Sequence, residues 1–174
     1  MKSNSMLLNP DGKLLAAVKQ SLRLARKTKP IWAKRLARDQ EIETIEGSIQ
    51  AKAGHYLCRG VVGEFWAQTE SKLREKYLQS DKVDAGGWHR FDPKPDAPPV
   101  EASEIDEPFQ VESHFGRLNG QAGDYLVRSM TDRSDVWIVA KAIFEASYVM
   151  EPYNEAQPRL KADEKECDKR EDQQ

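Results

Sequence analysis

The chain resembles itself. Sliding the sequence by 69 residues lays PIWAKRLARDQEIETIEGSIQAKAGHYLCR, from Pro30 to Arg59, over PVEASEIDEPFQVESHFGRLNGQAGDYLVR, from Pro99 to Arg128, without a gap. Nine of the thirty pairs are identical, where ordinary residue usage gives roughly two. Ile31/Val100, Leu36/Ile105, Ile42/Val111 and Ile49/Leu118 keep apolar slots apolar. Past Arg59 the offset becomes 71, which sets Trp66 against Trp137 and Tyr77 against Tyr148. A two-residue insertion of this kind belongs in a hairpin loop. The pattern reads as an internal duplication, which limits the fold before any single residue is considered.

Within each copy the short-range alternation around Ile42 to Ile49 and in HYLCR signals strands. The first unit reads as a strand after Pro30, a second over Ile42 to Ile49, a third from His55, a fourth through Phe65 to Gln68, and a short helix from Glu70 to Gln79. The second unit repeats this from Val100 to Tyr148. Ahead of them, Leu14, Leu15, Val18, Leu22 and Ala25 recur at helical spacing between Pro10 and Pro30, predicting an amphipathic helix. The expected class is α+β: a basic helix in 1–29, β-rich repeats of about four strands and a helix in 30–79 and 99–150, a Gly/Pro linker in 80–98, and a charged flexible tail in 151–174.

With 32% charged residues, and no apolar run of the roughly 20 residues a bilayer requires, a soluble chain in the cytoplasm is expected, with no membrane partner. Two cysteines, Cys58 and Cys167, are too few for a disulfide framework, and Cys58 reads as a small buried hydrophobe because it aligns with Val127. The net charge is −2, but residues 1–38 hold ten Lys or Arg against one acid, Asp11. On a helical face Lys19, Arg23, Arg26, Lys27, Lys34, Arg35 and Arg38 suit phosphates, so nucleic acid is one alternative partner. A solvated face, or one that neutralises the acidic body, explains the same residues.

KAGH and QAGD each place glycine third, as a type II turn requires. Such a turn feeds the strands HYLCR and DYLVR, with Asp124, and in part His55, accepting a bond from nearby backbone N–H. Together with ETIEG, GEFW and EKY in the first copy and VESHFG, VW and FEASY in the second, these turns resemble the bacterial and phage family named for a PGDYG motif. The motif's Pro is Ala in both copies, its last Gly is Leu, and the first copy has His55 in place of Asp. The family implies a fold unit and no established reaction.

Three function classes follow. Tyr56, Arg59 and Trp66, repeated as Tyr125, Arg128 and Trp137, put aromatic faces beside guanidinium groups, which suits nucleotides, other planar anions or peptides. The leading expectation is therefore a non-catalytic module that binds a small ligand or a protein at the face between the repeats, itself able to dimerise. The blander account makes the tyrosines and tryptophans core and pairs the arginines with Glu43 and Glu112. If a pseudo-two-fold axis brings the two turns together, His55 oriented by Asp124 is a general base and the chain an enzyme. Nucleic-acid binding is the third class. No Walker loop, dinucleotide fingerprint or GxSxG is present, and His55, His89, His114 and Cys58 lack metal-ligand spacing, so neither cofactor nor metal is expected.

Overall fold

The computed structural model describes residues 6–7 and 16–152. Strand β1 (Met6–Leu7), helix α1 (Ala16–Ser21) and strand β2 (Arg23–Lys27) come first. Then follow β3 (Ile31–Arg35), β4 (Gln40–Thr44), β5 (Gly47–Ala51), β6 (Tyr56–Arg59), β7 (Phe65–Gln68), helix α2 (Glu70–Lys76) and β8 (Tyr77–Val83). The remainder comprises β9 (His89–Pro93), β10 (Val100–Glu104), β11 (Phe109–Ser113), β12 (Gly116–Gly120), β13 (Tyr125–Ser129), β14 (Val136–Val139), helix α3 (Lys141–Ser147) and β15 (Tyr148–Met150). The fold is β-rich α+β.

Two antiparallel five-stranded sheets carry it, in the orders β7-β6-β3-β9-β8 and β14-β13-β10-β2-β15. Each has a short helix on one face: Ile31, Ala33, Tyr56, Cys58 and Phe91 pack with Leu73 of α2, and Ala25, Val100, Ala102, Tyr125 and Val127 with Phe144 of α3. A third core joins the sheets through Leu36, Ile49, Phe109, Val111, Leu118, Leu126 and Ile138, closed by Val18 of α1 and by Leu22 just after it. At its centre the hairpins β4-β5 and β11-β12 meet: Gln50 N–H donates to the Phe115 carbonyl at 2.9 Å and Asn119 N–H to the Glu46 carbonyl at 2.7 Å.

The glycine turns form as expected. Gly54 and Gly123 have φ of 88° and 97°. His55 N–H and Asp124 N–H close the turns on the carbonyls of Lys52 and Gln121, both at 3.0 Å.

Several expected boundaries are corrected. The N-terminal helix stops at Ser21; Leu14 and Leu15 lie outside the described residues, and Arg23–Lys27 is extended because β10 and β15 pair with it from both sides, burying Ala25 fully. Neighbouring strands outweigh the helical propensity of RLARK. The single strand expected over Ile42 to Ile49 is a hairpin, so five strands run from β3 to α2 and five from β10 to α3, with one more directly after each helix. Helix α2 ends at Lys76 rather than Gln79, since Tyr77 is extended and buried against Leu73. The linker expected in 80–98 contains β9, inserted between β3 and β8 with Phe91 wholly buried; Gly86 and Gly87 turn the chain from β8 into β9. The expected tail beyond residue 152, with Cys167, lies outside the described residues.

Candidate functional site: a lysine and tryptophan cleft between the sheets

Strands β7 and β14 form the edges of the two sheets and flank one cleft of about 360 Å³. Period-two alternation turns Trp66 and Trp137, paired across the ladders with Cys58 and Val127, toward it. Each tryptophan is covered by a lysine from the opposite half of the molecule. Lys27 of β2 places Nζ 4.3 Å from the Trp66 ring centroid and 5.5 Å from that of Tyr148. Lys76, the last residue of α2, places Nζ 4.7 Å from the Trp137 centroid. Both geometries are cation–π contacts.

Acidic groups enter at matching points. Glu64 and Asp135 each precede an edge strand, and their carbonyls accept from Gly60 N–H at 2.9 Å and Ser129 N–H at 3.0 Å. Asp135 is neutralised by Lys72 Nζ at 2.6 Å, which also reaches Asp132 at 3.0 Å. Burial would lower the Lys72 pKa, but its two carboxylate bonds more than offset that and raise it. Bonds from Ser134 and then Lys72 hold Asp132 down to about 2. Glu64 stands differently: its Oε2 is buried without a hydrogen-bond partner, and burial raises its pKa against the pull of Lys27.

Lys27 and Lys76 are half-buried by area, and both line the cleft. Desolvation lowers the Lys27 pKa to about 8 despite Glu64, and lowers that of Lys76. Among the described residues, neither has a carboxylate within 4.0 Å. The cleft therefore offers two desolvated ammonium groups and two indole faces in a mostly apolar lining that also includes Lys94 and the already paired Lys72 and Arg26. Cys58, beside it, is inert: burial pushes its thiol up to about 12 even though Gln68 donates to Sγ at 3.2 Å.

Of the residues singled out from sequence, the cleft brings together Trp66, Trp137, Lys27 and Arg26. Tyr56 packs edge-to-face on Phe91 at 6.3 Å, and Tyr125 stacks on Phe144 at 3.8 Å, both in the sheet cores. The arginines do not pair with Glu43 and Glu112. Arg59 bonds Asp84 at 3.0 Å and lies 4.7 Å from the Trp88 centroid; Arg128 is buried with Glu101 at 2.7 Å. Glu112 is taken by Arg117 instead, its neighbour across the β11-β12 ladder.

His55 and Asp124 each serve their own turn: His55 Nδ1 accepts from Lys52 N–H at 3.0 Å, and Asp124 accepts from Gln121 N–H at 2.9 Å and Lys141 N–H at 3.3 Å. Neither lines the cleft, although the His55 ring backs onto Phe115, which does. The basic residues do not share a helix face. Lys19 is on α1; Arg23 and Arg26 bond the backbone carbonyls of Glu151 and Ala97, and Arg26 also pairs with the Glu151 carboxylate; Lys34 bonds the Gly86 carbonyl at 3.1 Å; Arg35 and Arg38 are exposed on and beyond β3. Sequence reasoning passed over Lys72, Lys76, Glu64 and Asp135. Only the acids left a signal, as Glu64 and Asp135 align at the 71-residue offset.

No protein-family model, no curated protein and no solved structure matches the chain. Among the described residues no helix is long and apolar enough to cross a membrane, and no three His, Cys, Asp or Glu side chains converge on a metal-sized site.

Proposed function

We propose that the chain is a binding protein for a small planar anion, taken up between Trp66 and Trp137 with its charge on Lys27 and Lys76. One observation carries this reading: each lysine crosses to the tryptophan of the opposite sheet, so two desolvated cations without a carboxylate partner among the described residues face one cavity of about 360 Å³. An anion there gains Coulomb attraction in a medium of reduced dielectric, and a flat body gains the indole faces. The same reading includes two diverged copies of one unit, supported by the equal strand orders, the paired glycine turns and the reciprocal hairpin bonds. We retain the likeness to PGDYG-motif proteins for that unit, on the turn geometry.

Titration of indole fluorescence with adenosine monophosphate and with 2-naphthoate tests the proposal. Saturable quenching is expected, weakened about tenfold or more by Lys27→Met or Lys76→Met and halved in amplitude by Trp66→Phe. Quenching that Lys27→Met and Lys76→Met both leave unchanged would place any binding elsewhere.

A further inference from the structure

Lys27 offers the cleft more than charge. It ends β2, a strand held by ladders on both sides, and its Nζ is fixed over Trp66 with Tyr148 beside it. The same cleft holds a second cation, Lys76, and a carboxylate, Glu64, whose Oε2 is buried and unpartnered. The Glu64 carboxyl also takes backbone hydrogen bonds from Val62 and Glu64, which leaves Oε2 as its free oxygen; an amine, a cation and an acid with a free oxygen around one cavity are the groups that carbonyl condensation uses. We infer that Lys27 is a nucleophilic amine that forms a reversible imine with an anionic carbonyl compound, an aldehyde or 2-oxo acid bearing carboxylate or phosphate, whose anionic group rests on Lys76. This rests on the anion-binding reading above and names the ligand's reactive group.

The step balances without an oxidant or reductant. The neutral amine's lone pair attacks the carbonyl carbon, the C=O π pair moves to oxygen, and a proton shift from nitrogen to oxygen gives the carbinolamine. The nitrogen lone pair then expels the hydroxyl as water, with a proton from the Glu64 carboxyl, leaving a protonated C=N bond and the Glu64 carboxylate. The proton that Lys27 sheds on becoming neutral is taken up by the Glu64 carboxylate and is the one delivered to the hydroxyl, so the net change is ammonium plus carbonyl to protonated imine plus water. One C–N bond forms, one C–O bond breaks, and one water leaves. The lowered Lys27 pKa of about 8 leaves about a tenth of the amine neutral at pH 7, and the raised Glu64 pKa suits a proton carrier.

Borohydride trapping on the full chain tests this. The protein is incubated with pyridoxal 5′-phosphate or with glyoxylate, which separate a phosphate-bearing source from a carboxylate-bearing one, then reduced and mapped by peptide mass. One dominant adduct on Lys27 is expected with at least one probe, absent in Lys27→Arg, formed about tenfold more slowly in Glu64→Gln, and needing more probe in Lys76→Met. An adduct spread over exposed lysines such as Lys52 and Lys82, or none with either probe, overturns the imine. Lys27→Arg keeps the cation, so it separates the two failures: if it and the wild type still bind adenosine monophosphate or 2-naphthoate while Lys27 takes no adduct, only the imine falls. Loss of both falls on the anion site itself.

Discussion

At the scale of single residues, the cations of the cleft are held against a desolvation cost, and pH reports it. Lys27 titrates at about 8 in the fold against 10.5 ordinarily. Below pH 8 both folded and unfolded chains hold the proton, and the cost is fully present. Between 8 and 10.5 the unfolded chain binds more protons, so stability rises with pH through that window. Cys58 acts in the opposite sense, since a thiol raised from 9.0 to about 12 lowers stability across that interval. Lys76 and Glu64 face the same ammonium. Lys27→Met is therefore expected to be more stable than the wild type at pH 7.5 in urea denaturation, the gap closing toward pH 10; a gap independent of pH would show that Lys27 is not desolvated. The Arg128–Glu101 pair presents the reverse case. Both side chains are buried, Arg128 Nε is already unpartnered, and Arg133 stands 3.9 Å from Glu101. Glu101→Ala should cost about 3–5 kcal/mol by leaving that charge alone, whereas Arg59→Met, at a half-exposed pair, should cost about 1 kcal/mol or less. Equal losses in urea titrations would refute the distinction. The recurrence of Trp66 and Trp137 singled out two residues that the fold brings to one cleft. Lys76 was not legible, because it aligns with Ser147 and only the fold turns it onto Trp137.

At the scale of elements, what the sequence states locally is what the structure keeps. The glycine turns were legible because backbone sterics fix them within four residues, and their energetics follow from the same sterics. Gly54→Ala meets no atom closer than 3.9 Å, so its cost is the positive φ alone, about 1–2 kcal/mol. Gly116 adds a crossing: at φ 139° a Cβ there would lie 3.2 Å from the Ser48 carbonyl of the other hairpin. Gly116→Ala should therefore lower the thermal midpoint further than Gly54→Ala; equal shifts would show that the hairpins yield freely where they cross. The two elements misread from sequence, β2 and β9, share a physical reason. Each is short, lies beside Pro or Gly signals, and becomes a strand because neighbours pair with it on both sides, two distant ones for β2 and, for β9, the distant β3 together with the adjacent β8. Helical spacing in RLARK, and the prolines around HRFDP, describe the segments in isolation; hydrogen bonds supplied by β10 and β15, or by β3 and β8, decide their state.

At the scale of the molecule, those two strands bind the halves together. β2 precedes β3 in the chain yet pairs with β10, while β9 precedes β10 yet pairs with β3; each half gives an interior strand to the other's sheet. Matched volumes fix which strand goes where. Phe91 of β9 sits with Leu73 of α2, whereas Ala25 of β2 sits with Phe144 of α3, so large meets small in one sheet and small meets large in the other. A chain severed between Ala85 and Gly86 should accordingly give two fragments, each missing an inner strand, that are unfolded alone and assemble one to one, seen by circular dichroism and gel filtration. Self-pairing of the first fragment would put Ala25 where Phe91 belongs and leave a void beside Leu73. The full chain allows a sharper measurement. Ala25→Phe overfills the space against Phe144 and should cost about 1–3 kcal/mol, and Phe144→Leu opens it at a cost of its own. If the pair shares one volume, the double substitution recovers more than 1 kcal/mol relative to the sum of the single losses. Strict additivity in that cycle, or a fragment that folds alone as a monomer, would mean that strand exchange is incidental to the fold rather than what joins its halves around the cleft.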